Sequence, residues 1–308
     1  YIATTRYKFN DHTPGLYKST DYGKTWVNIN NGIAANAFTR CIREDNVLKG
    51  LLFAGTEIGL YLSADGGASW QQQQMGLPIT PVTDLKVHGG NLIAATMGRS
   101  FWVLDDLIQL RQLAAWTEAG KMTLYQPADA YRLSGGSMLD GDMEPQGTVA
   151  STFAGVNAPA GVVFYYQLPN DKDTATLYLD IKNSDGEIVR SYSSSANPPG
   201  DDPLLASSAG MHRFVWDQRY PTLIGVPRVF IEGSYAGGRA APGRYTATLR
   251  RGTQQQQVSF TIKPHPGLSY PAADYAEQQQ WQRKIENDFN QIHQTVLDGR
   301  KIRQQLEL

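Results

Sequence analysis

The sequence predicts a mainly β protein in three parts: incomplete β-propeller blades, an immunoglobulin-like or fibronectin-like β-sandwich, and a C-terminal α-helix. Three observations carry this prediction. A strand-and-turn motif repeats near the N-terminus, apolar residues alternate with period two in the middle of the chain, and they recur every three to four residues near its end. We expect blades over 1–126, a linker over 127–160, the sandwich over 161–264 and the helical segment over 265–308.

The repeated motif is a pair of octapeptides, STDYGKTW and SADGGASW, separated by about one propeller blade, roughly 40–45 residues. Ser and Asp side chains accept hydrogen bonds from nearby backbone N–H groups, Gly adopts positive φ, and Trp supplies apolar surface for packing. We therefore predict that the two aspartates close hairpins, with a catalytic role as the less favoured alternative. The residues that define the motif are Ser19, Asp21, Gly23, Trp26, Ser63, Asp65, Gly67 and Trp70.

A third copy of the repeat is degenerate. The small-residue strand Ile93–Thr96 and the aromatic strand Ser100–Trp102 match the earlier units, but the chain then continues into Asp105 and Asp106 without the Gly-x-Thr-Trp half of the octapeptide. Terminal repeats are usually atypical, so this copy is expected to end the array. Two to three blades cannot close a ring of four to eight, and we expect the remaining blades before Tyr1 or from another chain.

Composition excludes several classes of function. The net charge of −1 over 308 residues, with no Lys/Arg cluster, argues against nucleic-acid binding. No apolar run is long enough for a membrane span. The single cysteine, Cys41, lies in a predicted strand and is interpreted as a small buried hydrophobe. The histidines show no metal-ligand spacing, so neither a metal nor a cofactor is expected.

The middle of the chain has the alternation of a sandwich. Leu177, Leu179 and Ile181 share one strand face, and Phe214 and Trp216 share another. The Pro/Gly-rich loops 196–210 and 221–241 are long enough to be functional. In the linker, three alternating carboxylates are interpreted as a solvated acidic loop because the twelve-residue calcium pattern is absent. They are Asp140, Asp142 and Glu144.

The final segment predicts a helix with one apolar stripe on an otherwise polar surface. Gly299 interrupts the pattern. The polar face is not mainly basic, so we expect a coiled-coil or helical-hairpin contact, including self-association, rather than a membrane-surface helix. The stripe consists of Ile285, Phe289, Ile292, Val296, Ile302 and Leu306.

Both octapeptides resemble the Asp-box, or bacterial neuraminidase repeat, of sialidases, xyloglucanase-type glycosidases, photosystem assembly propellers and sortilin-like receptors. The resemblance implies a structural hairpin at the periphery of a propeller, away from the ligand face, and does not identify a substrate.

A broader resemblance covers nearly the whole chain. The runs Leu85–His88, Gly98–Leu107, Arg213–Pro221 and Pro242–Thr246 resemble the C-terminal third of large bacterial sortilin-like Asp-box proteins. Those proteins are often labelled glycosyl hydrolases by their repeats alone. The resemblance implies an exported protein, periplasmic or secreted, with propellers followed by a β-sandwich and a helical tail. Met97 departs from the histidine expected before Gly-Arg.

Two functions remain open at this point. A binding or scaffold module would hold a peptide or glycan, with Arg99, Phe101 and Trp102 as candidate contacts. In the structural alternative, Trp102 lies in a core and Arg99 lies in a solvated loop. A glycoside hydrolase would need two facing carboxylates. Its active site would lie mostly in upstream blades, because no recognisable pair stands out among Glu57, Asp84, Asp105 and Asp106.

Overall fold

The computed structural model of the protein describes residues 1–115, 121–133, 159–170, 173–196 and 202–307. The chain forms two compact units, Tyr1–Glu118 and Ala119–Leu308. The fold is mainly β with a long C-terminal helix, which confirms the predicted fold class. The predicted acidic loop at Asp140, Asp142 and Glu144 lies outside the described residues.

Short hairpins in chain order build the first unit. Its strands form three antiparallel sheets with the orders β1-β2-β3, β4-β5-β6-β7 and β10-β9-β8. The middle sheet has four strands and its neighbours have three. The elements are β1 (Ile2–Ala3), β2 (Leu16–Lys18), β3 (Val27–Asn28), β4 (Thr39–Glu44), β5 (Leu52–Thr56), β6 (Gly59–Ser63), β7 (Gln71–Gln72), β8 (Val82–His88), β9 (Asn91–Thr96), β10 (Phe101–Leu104) and helix α1 (Ile108–Ala115), with a 3₁₀ turn at Tyr7–Phe9.

Two apolar cores join these sheets in sequence. Leu16, Tyr61 and Trp70 belong to the core shared by the first and middle sheets. Phe53 and Val82 belong to the core shared by the middle and third sheets, where β8 packs beside β4 and β5. Each sheet therefore lies against the next.

Helix α1 follows the degenerate third repeat and was not expected from the sequence. Asp106 accepts a hydrogen bond from the backbone N–H of Ile108, the first residue of the helix (3.1 Å). Arg111 makes a bidentate pair with the buried carboxylate of Asp45, with both N···O distances at 2.9 Å. Helix α1 thus takes the place of the third octapeptide. Its ion pair with Asp45 binds it to the β4–β5 loop.

The second unit contains two sheets and a long helix. One sheet has the order β11-β13-β16, and the other has the order β12-β18-β17-β14-β15. Strand β11 lies before the sequence-based limit at 126 and pairs within this unit. The elements are β11 (Thr123–Leu124), β12 (Ala130–Tyr131), β13 (Val162–Leu168), β14 (Leu177–Lys182), β15 (Ile188–Ser193), β16 (Gly210–Trp216), β17 (Gly243–Arg251), β18 (Gln254–Lys263) and helix α2 (Ala272–Leu306).

The two sheets of this unit share one hydrophobic core, as predicted for a sandwich. Aromatic rings meet across it: the Phe164 and Phe260 centroids are 5.4 Å apart, and those of Trp216 and Tyr245 are 5.9 Å apart. Trp216 is fully buried. The alternating apolar residues of the sequence therefore face one another between the sheets.

Helix α2 is continuous through Gly299, where the apolar pattern is interrupted. It packs against the long loop 221–241 through polar groups: Glu286 accepts from the Gly238 N–H at 2.5 Å and Asn290 accepts from the Ile224 N–H at 2.7 Å. His293 Nδ1 lies 2.7 Å from the Ile224 carbonyl oxygen. Loop 221–241, which was predicted to be functional, thus contacts the helix. Side chains of α2 bind backbone groups of the loop. No helix in the described part of the chain combines the length and apolar content of a membrane span.

Candidate functional site

The two octapeptides fold into matching turns. In the first, Asp21 Oδ1 accepts the Thr25 N–H at 2.9 Å and Oδ2 accepts the Thr25 hydroxyl at 2.6 Å. In the second, Asp65 makes the same pair of bonds with Ser69, at 2.9 and 2.5 Å. The serine that opens each octapeptide donates to its aspartate at 2.8 or 2.7 Å. Each carboxylate therefore closes a tight loop.

Backbone conformation explains the glycine in each turn. Gly23 has φ of 88° and Gly67 has φ of 92°, a region that residues with a Cβ rarely adopt. Each glycine also donates its N–H to the opening serine hydroxyl, at 2.7 Å for Gly23 and 2.9 Å for Gly67. The glycine is thus required for its backbone conformation, which places its N–H against the serine hydroxyl.

Hydrogen bonding also sets the acidity of the turn aspartates. The Thr25 hydroxyl and N–H, together with Ser19, lower the pKa of Asp21 to about 2. For Asp65, partial burial raises the pKa, but the bonds from Ser69 and Ser63 outweigh it and bring the pKa to about 2. Both side chains are therefore ionised acceptors near neutral pH, whereas a general acid needs a raised pKa.

The candidate contacts lie at the free edge of the third sheet. Among the described residues, strand β10 pairs with β9 and with no second strand. Phe101 is 75% exposed and Trp102 is 40% exposed, whereas the equivalent Leu60 and Tyr61 of the middle sheet are buried. Phe101 and Trp102 are neighbours on the strand, so their side chains point to opposite faces of the sheet.

A hydrogen-bonded turn positions Arg99 next to this strand. The Trp102 indole N–H donates to the Arg99 carbonyl oxygen at 2.8 Å, and the Thr96 hydroxyl donates to the Ser100 carbonyl oxygen at 2.6 Å. Thr56 and Gly59 make the same contact in the middle sheet, at 2.9 Å. The structure thus brings Arg99 and Trp102 together, with Arg99 exposed.

Sequence reasoning did not include two further exposed apolar residues, Met97 and Val103, beside the candidate contacts. The signal that could have identified them is the missing half of the third octapeptide. Without it, no strand of the described chain follows β10 as β7 follows β6. Leu60 and Tyr61 are covered by the cores that the middle sheet shares with its neighbours, whereas the described residues provide no such cover for Phe101 and Trp102.

Two of the four candidate carboxylates of the hydrolase alternative, Glu57 and Asp84, are bound by arginines. Arg40 donates from Nε and Nη2 to Glu57 Oε2, at 2.8 and 2.5 Å. Arg43 pairs with Asp84 at 2.5 Å. Burial raises the pKa of Asp106, and this side chain accepts the Ile108 N–H at the start of α1. Among the described residues, no group of three or more His, Cys, Asp or Glu side chains could hold a metal ion.

Cys41 is a free, buried thiol in strand β4. Burial raises its pKa to about 11, so the sulfur stays protonated and unreactive at neutral pH. The interpretation of Cys41 as a small buried hydrophobe agrees with this environment.

Comparison with known proteins gives few relatives. No protein-family model matches the chain, and no curated protein matches it. Among solved structures, PorZ, a surface component of the type-IX secretion system of Porphyromonas gingivalis, is 12% identical with a TM-score of 0.24; the match covers 81% of this chain and 25% of PorZ.

A second structure in this comparison is the extracellular domain of a putative one-component system from B. thetaiotaomicron. It is 11% identical with a TM-score of 0.24, and the match covers 81% of this chain and 28% of that domain. The chain therefore spans less than a third of the length of either structure. Similarity at this level assigns no function.

Proposed function

We propose that this chain is the non-catalytic binding or scaffold portion of an exported bacterial Asp-box β-propeller protein, with a peptide or a glycan as its ligand. One observation carries the proposal: Phe101 and Trp102 are exposed on a free strand edge, although the equivalent residues of the preceding sheet are buried. Their side chains lie on opposite faces of β10, so a ligand that pairs with this strand would contact one aromatic ring on each face.

The chemistry of the edge fits both ligand classes. Aromatic rings offer flat apolar surfaces, and the outer backbone groups of β10 are available to pair with an extended peptide. Arg99 adds a positive charge at one end of the strand. In this proposal, Asp21 and Asp65 are structural residues, because their oxygens are engaged in the turns.

Binding to glycan and extended-peptide panels tests the proposal. We expect Phe101→Ser or Trp102→Ala to weaken binding by about tenfold or more, as for residues at the centre of a contact surface. Phe9→Ala is the matched control, since Phe9 is also strongly exposed but lies outside β10. Equal binding by all three variants would contradict the proposed contact surface.

The hydrolase alternative has a different readout. The assay measures release of sugar from a glycan panel. Activity that is lost in Glu57→Gln or Asp84→Asn and retained in Phe101→Ser would favour catalysis over binding alone. We expect no sugar release, because Arg40 and Arg43 hold these two carboxylates in ion pairs.

A further inference from the structure

An apolar stripe on helix α2 is exposed along most of the helix. Trp281, Ile285 and Ile292 are 57, 64 and 63% exposed, and Val296 is 41% exposed. The helix packs on its own unit through a different face, which includes Glu286, the one buried residue among the described positions of α2. At 3.6 residues per turn, that face is turned about 100° away from the stripe. The stripe is therefore open while the helix remains docked.

Phe289, predicted as part of the stripe, belongs to the boundary between the two faces. Its ring lies 6.0 Å from that of Tyr235 and 3.9 Å from that of His293. Packing against Tyr235 and His293 thus removes Phe289 from the exposed stripe. Trp281, which the sequence prediction did not include, is added at the N-terminal end of the stripe.

The part of the stripe from Trp281 to Val296 is symmetric about its own middle; Ile302 and Leu306, which are also exposed, lie beyond it. Ile285 and Ile292 lie at equal distances from the point between Asp288 and Phe289, and so do Trp281 and Val296. A two-fold interface requires this property, since residue i of one copy contacts j of the other and j contacts i. A stripe with such spacing matches itself in the antiparallel direction.

We propose that α2 pairs with α2 of a second copy of this chain in an antiparallel register, with the two-fold axis between Asp288 and Phe289. The proposal rests on the expectation that the helix mediates self-association, and it adds the geometry of that contact. Ile285 then faces the partner's Ile292, and Trp281 faces the partner's Val296. The four apolar side chains of each helix pack against those of its partner.

Charge at the two ends of the stripe supports the same register. Asp274, in the first turn of α2, lies opposite the partner's Arg303, in its last turn. Side chains of opposite sign thus meet at both ends of the interface. Gly299 falls opposite the partner's Gln278, where the lack of a side chain leaves room for the longer residue. In a parallel pair, by contrast, Asp274 and Arg303 would be about 44 Å apart along the helices.

The first experiment measures association by light scattering and sedimentation. We expect the chain to dimerise and Ile285→Asp or Ile292→Asp to raise the dissociation constant about tenfold or more. Gln291→Asp is the control, because it adds the same charge at an exposed position of α2 outside the stripe. A monomeric parent chain, or equal loss of association in the control, would overturn the proposal together with self-association through the helix.

The second experiment tests direction. Chains with Ile285→Cys and chains with Ile292→Cys are oxidised separately and as a mixture, with the parent chain, whose Cys41 is buried, as control. We expect a disulfide-linked dimer only in the mixture. Dimers linked within each single variant would overturn the antiparallel register and leave self-association intact.

A charge exchange provides an independent check on the register. Asp274→Arg and Arg303→Asp should each weaken the dimer several-fold, and the double exchange should restore it. Circular dichroism verifies that α2 stays helical in each variant, since both substitutions oppose the helix dipole. Failure of the double exchange to restore association, with the helix intact, counts against the register.

Discussion

Trp26 and Trp70 occupy the same position in matching turns but have different environments. Trp70 is 3% exposed and donates its indole N–H to the Ile29 carbonyl oxygen at 2.7 Å, joining two sheets. Trp26 is 42% exposed and donates to Gly23 of its own turn at 3.1 Å. The same residue in the same motif therefore contributes to a shared core in one case and to a local turn in the other.

This contrast leads to a stability prediction. Trp70→Ala should lower the free energy of unfolding by about 3–5 kcal/mol, because it opens a cavity and leaves a buried carbonyl without its donor. Trp26→Ala should cost about 1 kcal/mol or less. Urea denaturation followed by circular dichroism measures both. Equal losses in the two variants would contradict the assignment of Trp70 to the shared core.

At this scale the turns were predictable from the sequence. The bonds of Asp21 and Asp65 with Thr25 and Ser69 are local, spanning four residues, so the octapeptide specifies them. Burial of the tryptophan depends on which sheet packs against the turn, and no residue of the octapeptide encodes that.

Among the secondary-structure elements, α1 is held to the β4–β5 loop by a buried ion pair. The Asp45 side chain is fully buried and receives both Arg111 and the N–H groups of Val47 and Leu48. Burial alone would raise the pKa of Asp45, but these partners outweigh it and hold the pKa below 3.8. Because the folded state lowers this pKa, the stabilisation is complete above about pH 4 and is lost as the pH falls below the ordinary value.

Asp45→Asn should therefore destabilise the first unit by about 3–5 kcal/mol at pH 7, since it leaves the Arg111 charge without its partner. The difference from the parent chain should shrink as the pH falls below 4. Denaturant unfolding at several pH values measures it, with the exposed Asp105→Asn as control. A deficit that does not change with pH would contradict the role of this carboxylate.

The sequence predicted the type of most elements and missed α1. The turn motifs mark the strands of the repeats and alternation marks those of the sandwich, whereas α1 is short and its polar residues Gln109 and Arg111 conceal its apolar side. The length of loop 221–241 follows from the sequence. Its contact with α2 could not be predicted, because the helix binds backbone groups of the loop, which every sequence has.

For the whole molecule, the division into two units implies two cooperative transitions. In the described residues the first unit has two hydrophobic cores and the second unit has one, and domains with separate cores commonly unfold separately. Trp216→Ala, in the core of the second unit, should lower one calorimetric transition and leave the other unchanged. A single transition that shifts as a whole would contradict independent unfolding of the units.

The sequence by itself determined the mainly β class, the repeated turns, the sandwich alternation and the helix, because these follow from local bonds and from the period of apolar residues. Tertiary structure alone decided which apolar residues are covered. Phe101 and Trp102 are exposed because no described sheet packs over them, and the α2 stripe is exposed because the helix docks through another face, which includes Glu286 and Phe289. Periodicity in the sequence shows that one face of an element is apolar. Which segment covers that face depends on packing between residues that are distant in the sequence.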